Sequence, residues 1–189
     1  AVELTENLGY SPQEMEFTFE SDKPEDFHIL QIRDQDLKLE DEMNAFVKAP
    51  EEMKQIGRGM GIGGGAMNGR VAFNENDIKI LRDQYPEDNI ILVRPDTVPN
   101  DIGMIFDCDG LLTARGGATS HAAVTAVRLG KVCVVSCVEL QVYDEKHFGE
   151  LNGNQLLAGT EIAIDGNLGL VYLGHYPTEK MKVGKGYNY

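Results

Sequence analysis

The segment Leu111–Val124, which reads LLTARGGATSHAAV, constrains the fold of this chain more than any other stretch. It opens with apolar residues that suit the end of a strand, and Gly116 and Gly117 then allow a turn with no Cβ atoms. The small residues that follow His121 suit a helix. A strand, a glycine turn and a helix in succession predict an α/β unit, with His121 in the first helical turn.

The helix predicted after the glycine turn begins beside two hydroxyl residues, Thr119 and Ser120, and either one is a natural N-cap. His121 is thereby placed next to free backbone N–H groups and the positive end of the helix dipole, which favours an anionic group. An imidazole there is a candidate nucleophile that carries a phosphoryl group. Thr119 is also a candidate to orient the imidazole. Arg94 and Arg115 are candidates to compensate phosphoryl charge, with structural salt bridges as the alternative.

Charge and composition exclude several classes of function. The net charge is −14 and the basic residues form no cluster beyond a few lysines near the C-terminus, so no nucleic-acid binding is expected. No apolar stretch approaches the roughly 20 residues that span a membrane, and no signal peptide is evident, which together predict a cytoplasmic protein. Cys108, Cys133 and Cys137 lie in or beside apolar runs and are predicted to be buried free thiols. The chain starts at Ala1, and we expect it to be processed or cut from something larger.

The patterns of charged and apolar residues divide the chain into four parts. Residues 1–33 hold two β-like runs around a turn-rich stretch, which predicts a β-hairpin. Residues 34–56 are charged with a weak helical pattern and are predicted to form a linker or helix. Residues 57–175 are predicted to form an α/β domain. Residues 176–189 show no pattern of a packed element and are predicted to be a C-terminal linker.

Within the predicted α/β domain, strand patterns alternate with helix patterns. Strands are predicted at 69–73, 89–93, 110–114 and 132–135, and helices from Asn74 or Asn76 to Tyr85 and from Pro99 to about Asp107. Three later runs, at 155–158, 161–164 and 170–173, predict a small antiparallel meander.

The stretch Gly59–Gly64 fits the spacing G-x-G-x-x-G, but a nucleotide-binding turn of that kind needs a strand before it and a helix after it. A charged segment precedes this stretch and a β-like run follows, so we interpret residues 57–65 as a flexible glycine-rich hinge. The other histidines, His28, His147 and His175, have no partner at metal-ligand spacing, and no metal site is predicted in this chain alone.

The string TARGGATSHAAV closely resembles the phosphohistidine segment of the enzymes that interconvert pyruvate and phosphoenolpyruvate, the pyruvate phosphate dikinases in particular. A second string, from Val93 to Met104, is similar to the dikinase pattern V-R-x-E-T-x-P-x-D-I-x-G-M, with Asp96 where Glu is usual. By this resemblance His121 is the phosphoryl acceptor. The resemblance also assigns five neighbours to the catalytic segment: Arg115, Gly116, Gly117, Thr119 and Ser120.

The N-terminal hairpin resembles the closing hairpin of the ATP-grasp nucleotide domain that precedes the mobile domain in the dikinases. Glu16 matches the position of a metal-binding Glu, and Gln31 and Arg33 match nucleotide-site positions. The turn is longer than usual, and residues 1–33 are too few to complete an ATP site. We therefore expect these three residues to be relics whose role in this chain is hairpin packing.

The resemblance implies a swivelling β/β/α phosphohistidine domain with an N-terminal β-hairpin extension. Such a domain shuttles a phosphoryl group from ATP to pyruvate, or in reverse. Its partners are an ATP-grasp domain and a phosphoenolpyruvate- or pyruvate-binding barrel domain of the parent chain. ATP and Mg²⁺ serve the full-length enzyme and neither is expected to bind this chain stably, so the chain alone is not expected to turn over substrate.

The sequence leaves three further functions open. The same domain occurs in pyruvate water dikinases (phosphoenolpyruvate synthases), whose phosphohistidine string usually has Cys in place of Ser120, so the serine favours the phosphate-dependent type. The second is a non-enzymatic phosphorelay or docking module, and the third is a purely structural remnant. The ATP-grasp-like hairpin favours the enzyme over both of these.

Overall fold

The computed structural model describes residues 13–19, 23, 26–34, 42–117 and 121–182. The chain divides into two compact units, which are Ala1–Glu40 and Asp41–Tyr189. The predicted hairpin belongs to the first unit and the predicted α/β domain belongs to the second.

The first unit contains an antiparallel β-hairpin, as the sequence predicts. Strand β1 spans Gln13–Phe19 and strand β2 spans Phe27–Asp34. Their register pairs Glu16 with Gln31, and Arg33 lies two residues further along β2. The three positions that resemble nucleotide-site residues therefore lie within one short stretch of the ladder.

The second unit has more strands than helices. Its strands are β3 (Glu42–Phe46), β4 (Gln55–Arg58), β5 (Met60–Gly61), β6 (Ala66–Ala72), β7 (Ile90–Arg94), β8 (Gly110–Thr113), β9 (Val132–Val135), β10 (Leu140–Tyr143), β11 (Phe148–Leu151), β12 (Asn154–Leu157), β13 (Glu161–Asp165), β14 (Leu170–Leu173) and β15 (Thr178–Lys182). Its helices are α1 (Glu75–Gln84), α2 (Ile102–Asp107) and α3 (His121–Arg128). Short 3-10 helices span Pro50–Glu52, Pro99–Asp101 and Asp144–Lys146. In the part of the chain that the structure describes, no helix has both the length and the apolar character needed to cross a membrane.

The main sheet brings the predicted βα segments to one edge. Among the described residues it has eight strands in the order β4-β14-β13-β6-β7-β8-β9-β5. Strands β6, β7, β8 and β9 are parallel to one another, and the outer pairs are antiparallel. Because parallel strands end on the same side of a sheet, the segments that follow these four strands meet there. We call this side the carboxyl edge, and it carries the glycine turn that precedes His121.

The main sheet is covered on both faces. In β7, Ile90 and Leu92 pack in one apolar cluster with residues of the three helices. Ile91 and Val93 pack in another cluster with residues of a second sheet, formed by β10, β11 and β12. Successive residues of a strand point to opposite faces, so a continuous apolar run suits a strand that is buried on both. The resulting β/β/α arrangement confirms the predicted fold class.

Two predictions about the flanking segments are wrong where the structure describes them. Residues 42–56 form strand β3, a short 3-10 helix and the start of β4, and no α-helix. Strand β3 pairs antiparallel with β15, with Met43 opposite Met181. The tail after residue 175, predicted to hold no packed element, contributes β15. Each strand is stabilised by a partner that is distant in the sequence, and a local pattern does not reveal such a partner.

The three C-terminal runs form strands near the predicted positions, but they do not form one meander. β12 pairs with β11 in the small sheet, whereas β13 and β14 pair with each other in the main sheet. The turn between β12 and β13 therefore carries the chain from the small sheet to the main sheet.

The glycine-rich stretch 57–65 is closely packed at most of its glycines, although a Cβ atom on Gly63 would meet nothing within 4 Å. A Cβ atom on Gly59 would lie 2.5 Å from the carbonyl oxygen of Val135, and one on Gly61 would lie 2.4 Å from that of Gly166. Real Cβ atoms do not approach a backbone oxygen so closely, so glycine is needed here for close backbone contact. These contacts do not fit the predicted flexible hinge at Gly59 and Gly61.

Cys108, Cys133 and Cys137 are free and buried, as the sequence predicts. Burial raises the pKa of Cys133 to about 12 and the pKa values of Cys108 and Cys137 to about 11. Because the thiolate is the reactive form, we expect a thiol reagent at about pH 8 to leave all three unmodified in the folded chain and to modify all three in denaturant. Rapid modification of any one of them in the folded chain, measured by intact mass, would contradict this burial.

Candidate functional site

The candidate site lies on the carboxyl edge between strand β8 and helix α3. Strand β8 ends at Thr113 and α3 begins at His121. We call Ala114–Gly117, the described residues between them, the glycine loop. Within it Gly116 has a left-handed backbone, with φ at +93°. The succession of strand, glycine turn and helix is the one that the sequence predicts.

Helix α3 is formed by small residues that lie close to the sheet. Ala123 and Ala126 are fully buried, and Ala126 packs in the same apolar cluster as Ile90 and Leu92 of β7. After the helix, Gly130 adopts a left-handed conformation with φ at +70°, and the amide of Lys131 donates to the carbonyl of Ala126. Gly130 therefore closes the helix.

Helix α3 begins at the backbone of His121, which is the position that the sequence predicts. Thr119 and Ser120 lie outside the described residues. The roles of these three side chains, as phosphoryl acceptor, orienting group and cap, therefore stay predictions.

Hydrogen bonds hold the glycine loop against the end of β7 and against itself. The amide of Ala114 donates to the carbonyl of Arg94 over 3.2 Å, and the amide of Arg115 donates to the carbonyl of Pro95 over 2.9 Å. The hydroxyl of Thr113, which is 1% exposed, donates to the carbonyl of Arg115 over 2.6 Å. The path of the chain away from β8 is thus fixed by backbone partners.

A glycine is required at position 116 by the surrounding atoms as well as by the left-handed backbone. The Oδ1 atom of Asp96 lies 2.9 Å from the point that a Cβ atom on Gly116 would occupy. Asp96 is itself held, because this oxygen accepts a hydrogen bond from the amide of Thr97 over 2.7 Å. The segment after β7 therefore packs directly on the glycine loop, which explains why the two strings identified in the sequence belong to one site.

Arg94 is committed to ion pairs within the fold. Its guanidinium lies 2.7 Å from Asp144 and 3.4 Å from Asp101, and it donates to the carbonyl of Phe73 over 3.2 Å. Asp101 is almost fully buried and also accepts from the amide of Val98. The sequence leaves Arg94 open to a phosphoryl contact or a salt bridge, and the structure shows the salt bridge.

Arg115 differs from Arg94. It is exposed at the start of the glycine loop, and no ion pair to it is present among the residues that the structure describes. Its guanidinium is therefore available to an anion at this edge, which keeps the predicted charge-compensating role open.

Sequence reasoning missed two residues that hold the glycine loop. Thr113 stands inside the recognised string, and its hydroxyl has no feature there that separates it from an ordinary strand residue. Ser136 follows β9 with a left-handed backbone, φ +54°, and its hydroxyl donates to the carbonyl of Gly116. A single serine after an apolar run gives no sequence signal for such a contact.

The residues predicted for nucleotide and metal binding lie elsewhere. Glu16, Gln31 and Arg33 belong to the hairpin unit, and their roles stay predictions. In the described residues no three His, Cys, Asp or Glu side chains are grouped so as to hold a metal ion.

Comparison with protein families identifies the class to which this fold and site belong. Residues 86–169, which include β7, β8, the glycine loop and α3, match the family described as "PEP-utilising enzyme, mobile domain". These residues therefore match the mobile domain of the enzymes that use phosphoenolpyruvate (PEP), which confirms the resemblance identified from the sequence.

Individual relatives agree with this family. The pyruvate, phosphate dikinase of Clostridium symbiosum is 37% identical over 128 residues, which are 68% of this chain and 14% of that protein. The enzyme of the same name from Entamoeba histolytica is 37% identical over 130 residues, 69% of this chain and 14% of the relative. Pyruvate, phosphate dikinase 2 of Zea mays is 38% identical over 122 residues, with shares of 65% and 14%. This chain thus matches about one seventh of the length of these relatives.

Proposed function

We propose that this chain is the phosphohistidine carrier domain of a dikinase, in which His121 accepts a phosphoryl group at a nucleotide site and delivers it to pyruvate, or the reverse. The observation that carries the proposal is the place of His121. It is the first residue of α3, four positions after the end of a glycine loop held by hydrogen bonds, within the segment that matches the mobile domain.

The physical chemistry of this position suits a phosphoryl carrier. The first N–H groups of a helix have no intrahelical partners, and the helix dipole places partial positive charge there. Both features stabilise an anionic phosphoryl group. An imidazole that forms a covalent intermediate links two reactions whose sites never meet, because the phosphoramidate bond keeps the group ready for a second transfer.

We propose that Arg115 compensates the charge of the phosphoryl group, since it is exposed at the glycine loop and has no ion pair in the described part of the chain. Replacement of Arg115 by Ala is expected to slow phosphorylation of His121 by about 10- to 100-fold, because transfer depends on charge neutralisation. Arg115→Lys should slow phosphorylation less than Arg115→Ala, since lysine retains the positive charge but not the planar guanidinium. The rate is measured by rapid-quench labelling from radioactive PEP.

The matched control for Arg115 is Arg128→Ala. Arg128 is also exposed and lies in the last turn of helix α3, about 10 Å along the helix from His121. Its removal is expected to leave the rate unchanged. Equal rates for Arg115→Ala and the unmodified protein would show that Arg115 does not contact the phosphoryl group.

The nucleotide half of the reaction is proposed to need a partner. Glu16, Gln31 and Arg33 occupy adjacent positions of the hairpin ladder, and a carboxylate is a usual Mg²⁺ ligand. These positions support the proposal that the hairpin belongs beside an ATP-grasp domain. That domain would bind ATP and Mg²⁺, and the ATP would supply the phosphoryl group. A second partner, a PEP- or pyruvate-binding barrel domain, completes the proposed enzyme, and the far greater length of the relatives is consistent with both partners.

An exposed apolar surface next to the site supports docking to such partners. Helices α2 and α3 pack together and expose the side chains of Phe106, Val124 and Val127. Apolar side chains grouped on a surface are a common feature of contact sites between domains. We propose that the domain swivels as one body between its partners in the cytoplasm, and that phosphate rather than water is the co-substrate.

The proposal is tested by labelling the protein at its natural length with PEP that carries radioactive phosphorus. The phosphoryl group leaves the enol oxygen of PEP for a ring nitrogen of His121, and pyruvate is released after its enolate takes up a proton. The label is expected to be acid-labile and base-stable and to be absent from His121→Ala. Label that persists in this variant would contradict the proposal. Labelling of His121 in a protein that has neither a nucleotide site nor a pyruvate site would favour a phosphorelay module.

A further inference from the structure

The glycine loop is held from two neighbouring strands. On the β7 side the carbonyl groups of Arg94 and Pro95 accept hydrogen bonds from the loop. On the β9 side the segment after the strand supplies donors instead. The amide of Cys137 donates to the carbonyl of Thr113 over 2.9 Å, and the hydroxyl of Ser136 donates to the carbonyl of Gly116. Of these contacts, the serine hydroxyl is the one that a single substitution removes cleanly.

Ser136 occupies a conformation that serine rarely adopts. Its φ is +54°, in the left-handed region that favours glycine. Glycine would adopt this conformation without the steric cost that a Cβ atom brings. A serine is useful at this position when its hydroxyl makes a contact that glycine does not offer, and that contact is the hydrogen bond to Gly116.

The bond acts at a point where the loop has little other restraint. Gly116 has φ at +93° and no side chain, so its peptide group would otherwise rotate easily. Asp96 packs on one side of Gly116 and Ser136 binds its carbonyl. Together they fix the position of Gly116 in the glycine loop.

We propose that Ser136 is a positioning residue for phosphoryl transfer: its hydroxyl holds the Gly116 carbonyl and thereby fixes the loop that places His121. This inference rests on the proposed carrier role of His121. It assigns Ser136 no contact with the phosphoryl group. The residue acts through the backbone of the loop, and its effect is on the alignment of the imidazole with the donor.

The test compares two substitutions that separate alignment from stability. Ser136→Gly removes the hydroxyl and also relieves the left-handed conformation, so the thermal midpoint is expected to change by less than about 3 °C. The rate of His121 phosphorylation from PEP, in the protein at its natural length, is expected to fall about 10-fold or more, because small errors of alignment are costly in group transfer. Ser136→Ala removes the same bond and retains the strained backbone, so the rate and the midpoint should both fall.

Two further measurements exclude a merely structural role. Ser136→Asn keeps a hydrogen-bond donor and tolerates the left-handed region, so it is expected to restore part of the rate. Phosphoramidate, a small donor that needs no docking, is expected to phosphorylate His121 at the same rate in Ser136→Gly as in the unmodified protein. A loss with PEP and none with phosphoramidate shows that alignment with the donor site has changed.

The matched control is Asn152→Gly. Asn152 also has a left-handed backbone, φ +48°, and its side-chain amide donates to the carbonyl of Ile56 over 2.8 Å. It lies in the turn between β11 and β12, outside the glycine loop. Its removal is expected to leave transfer from PEP unchanged.

The outcomes distinguish this inference from the carrier proposal. If the unmodified protein is not phosphorylated on His121, the carrier role itself fails. If the unmodified protein is phosphorylated and Ser136→Gly transfers at the same rate, the carrier role stands and the positioning role of Ser136 is wrong. A loss with Asn152→Gly as large as that with Ser136→Gly would overturn the positioning role as well.

Discussion

Replacement of Gly166 by alanine is expected to lower the free energy of unfolding of the second unit by about 2–4 kcal/mol. The new Cβ atom would lie 2.0 Å from the carbonyl oxygen of Gly63. Hydrogen bonds also join the two backbone segments around Gly63 and Gly166. The amide of Gly63 donates to the carbonyl of Gly166 over 2.8 Å, and the amide of Gly166 donates to the carbonyl of Gly65 over 2.7 Å. The obstacle is therefore backbone, and it moves only if these bonds break.

Urea denaturation and thermal denaturation measure this loss, and the midpoint temperature is expected to fall by about 5–15 °C. The matched control is Gly103→Ala, because Gly103 lies in helix α2 and a Cβ atom there meets nothing within 4 Å. That change should leave stability the same or raise it by up to about 1 kcal/mol. Equal stability of the two variants would mean that the glycine-rich stretch is loose, as its sequence alone suggests.

Replacement of His121 by alanine is expected to abolish both half-reactions of the protein at its natural length, by about 10⁴-fold or more. A covalent carrier is shared by the two steps, so its loss stops exchange between pyruvate and PEP as well as exchange at the nucleotide. If His121 instead served one site at which both reactions take place, its replacement would slow the two steps by different factors. Isotope exchange measured separately for each step makes the distinction.

His147→Ala is the control for this experiment. His147 is exposed, and its ring Nδ1 lies 2.9 Å from the side-chain amide of Asn74, the N-cap of helix α1. Its loss removes one surface hydrogen bond, and both exchange rates are expected to remain near those of the unmodified protein. Survival of either exchange in His121→Ala would contradict the shared-carrier account.

The elements around the site could be predicted because their signals are local. The apolar run Ile90–Val93 bears the pattern of a strand that is buried on both faces, and Asn74 is a recognisable N-cap whose side chain accepts from the amide of Asp77. The order of strand, glycine turn and helix before His121 likewise follows from neighbouring residues. These signals were sufficient for the fold class and for the place of the histidine.

The remaining features depend on contacts between distant residues. Strand β3 pairs with β15, and β15 has a single apolar residue, Met181, and no strand pattern of its own. The glycine content of residues 57–65 suggests flexibility, yet Gly59 and Gly61 are glycines because other backbone segments approach them. Ser136 gives no local signal, since its importance lies in a carbonyl group 20 positions away.

The most direct test of the account is to locate the phosphate. The protein at its natural length is incubated with PEP, kept at alkaline pH, and digested for tandem mass spectrometry, with ³¹P NMR of the intact protein as a second measurement. One phosphoryl group per chain is expected, on a ring nitrogen of His121. Phosphate on Thr119, Ser120 or any of the other three histidines, with His121 unmodified, would contradict it.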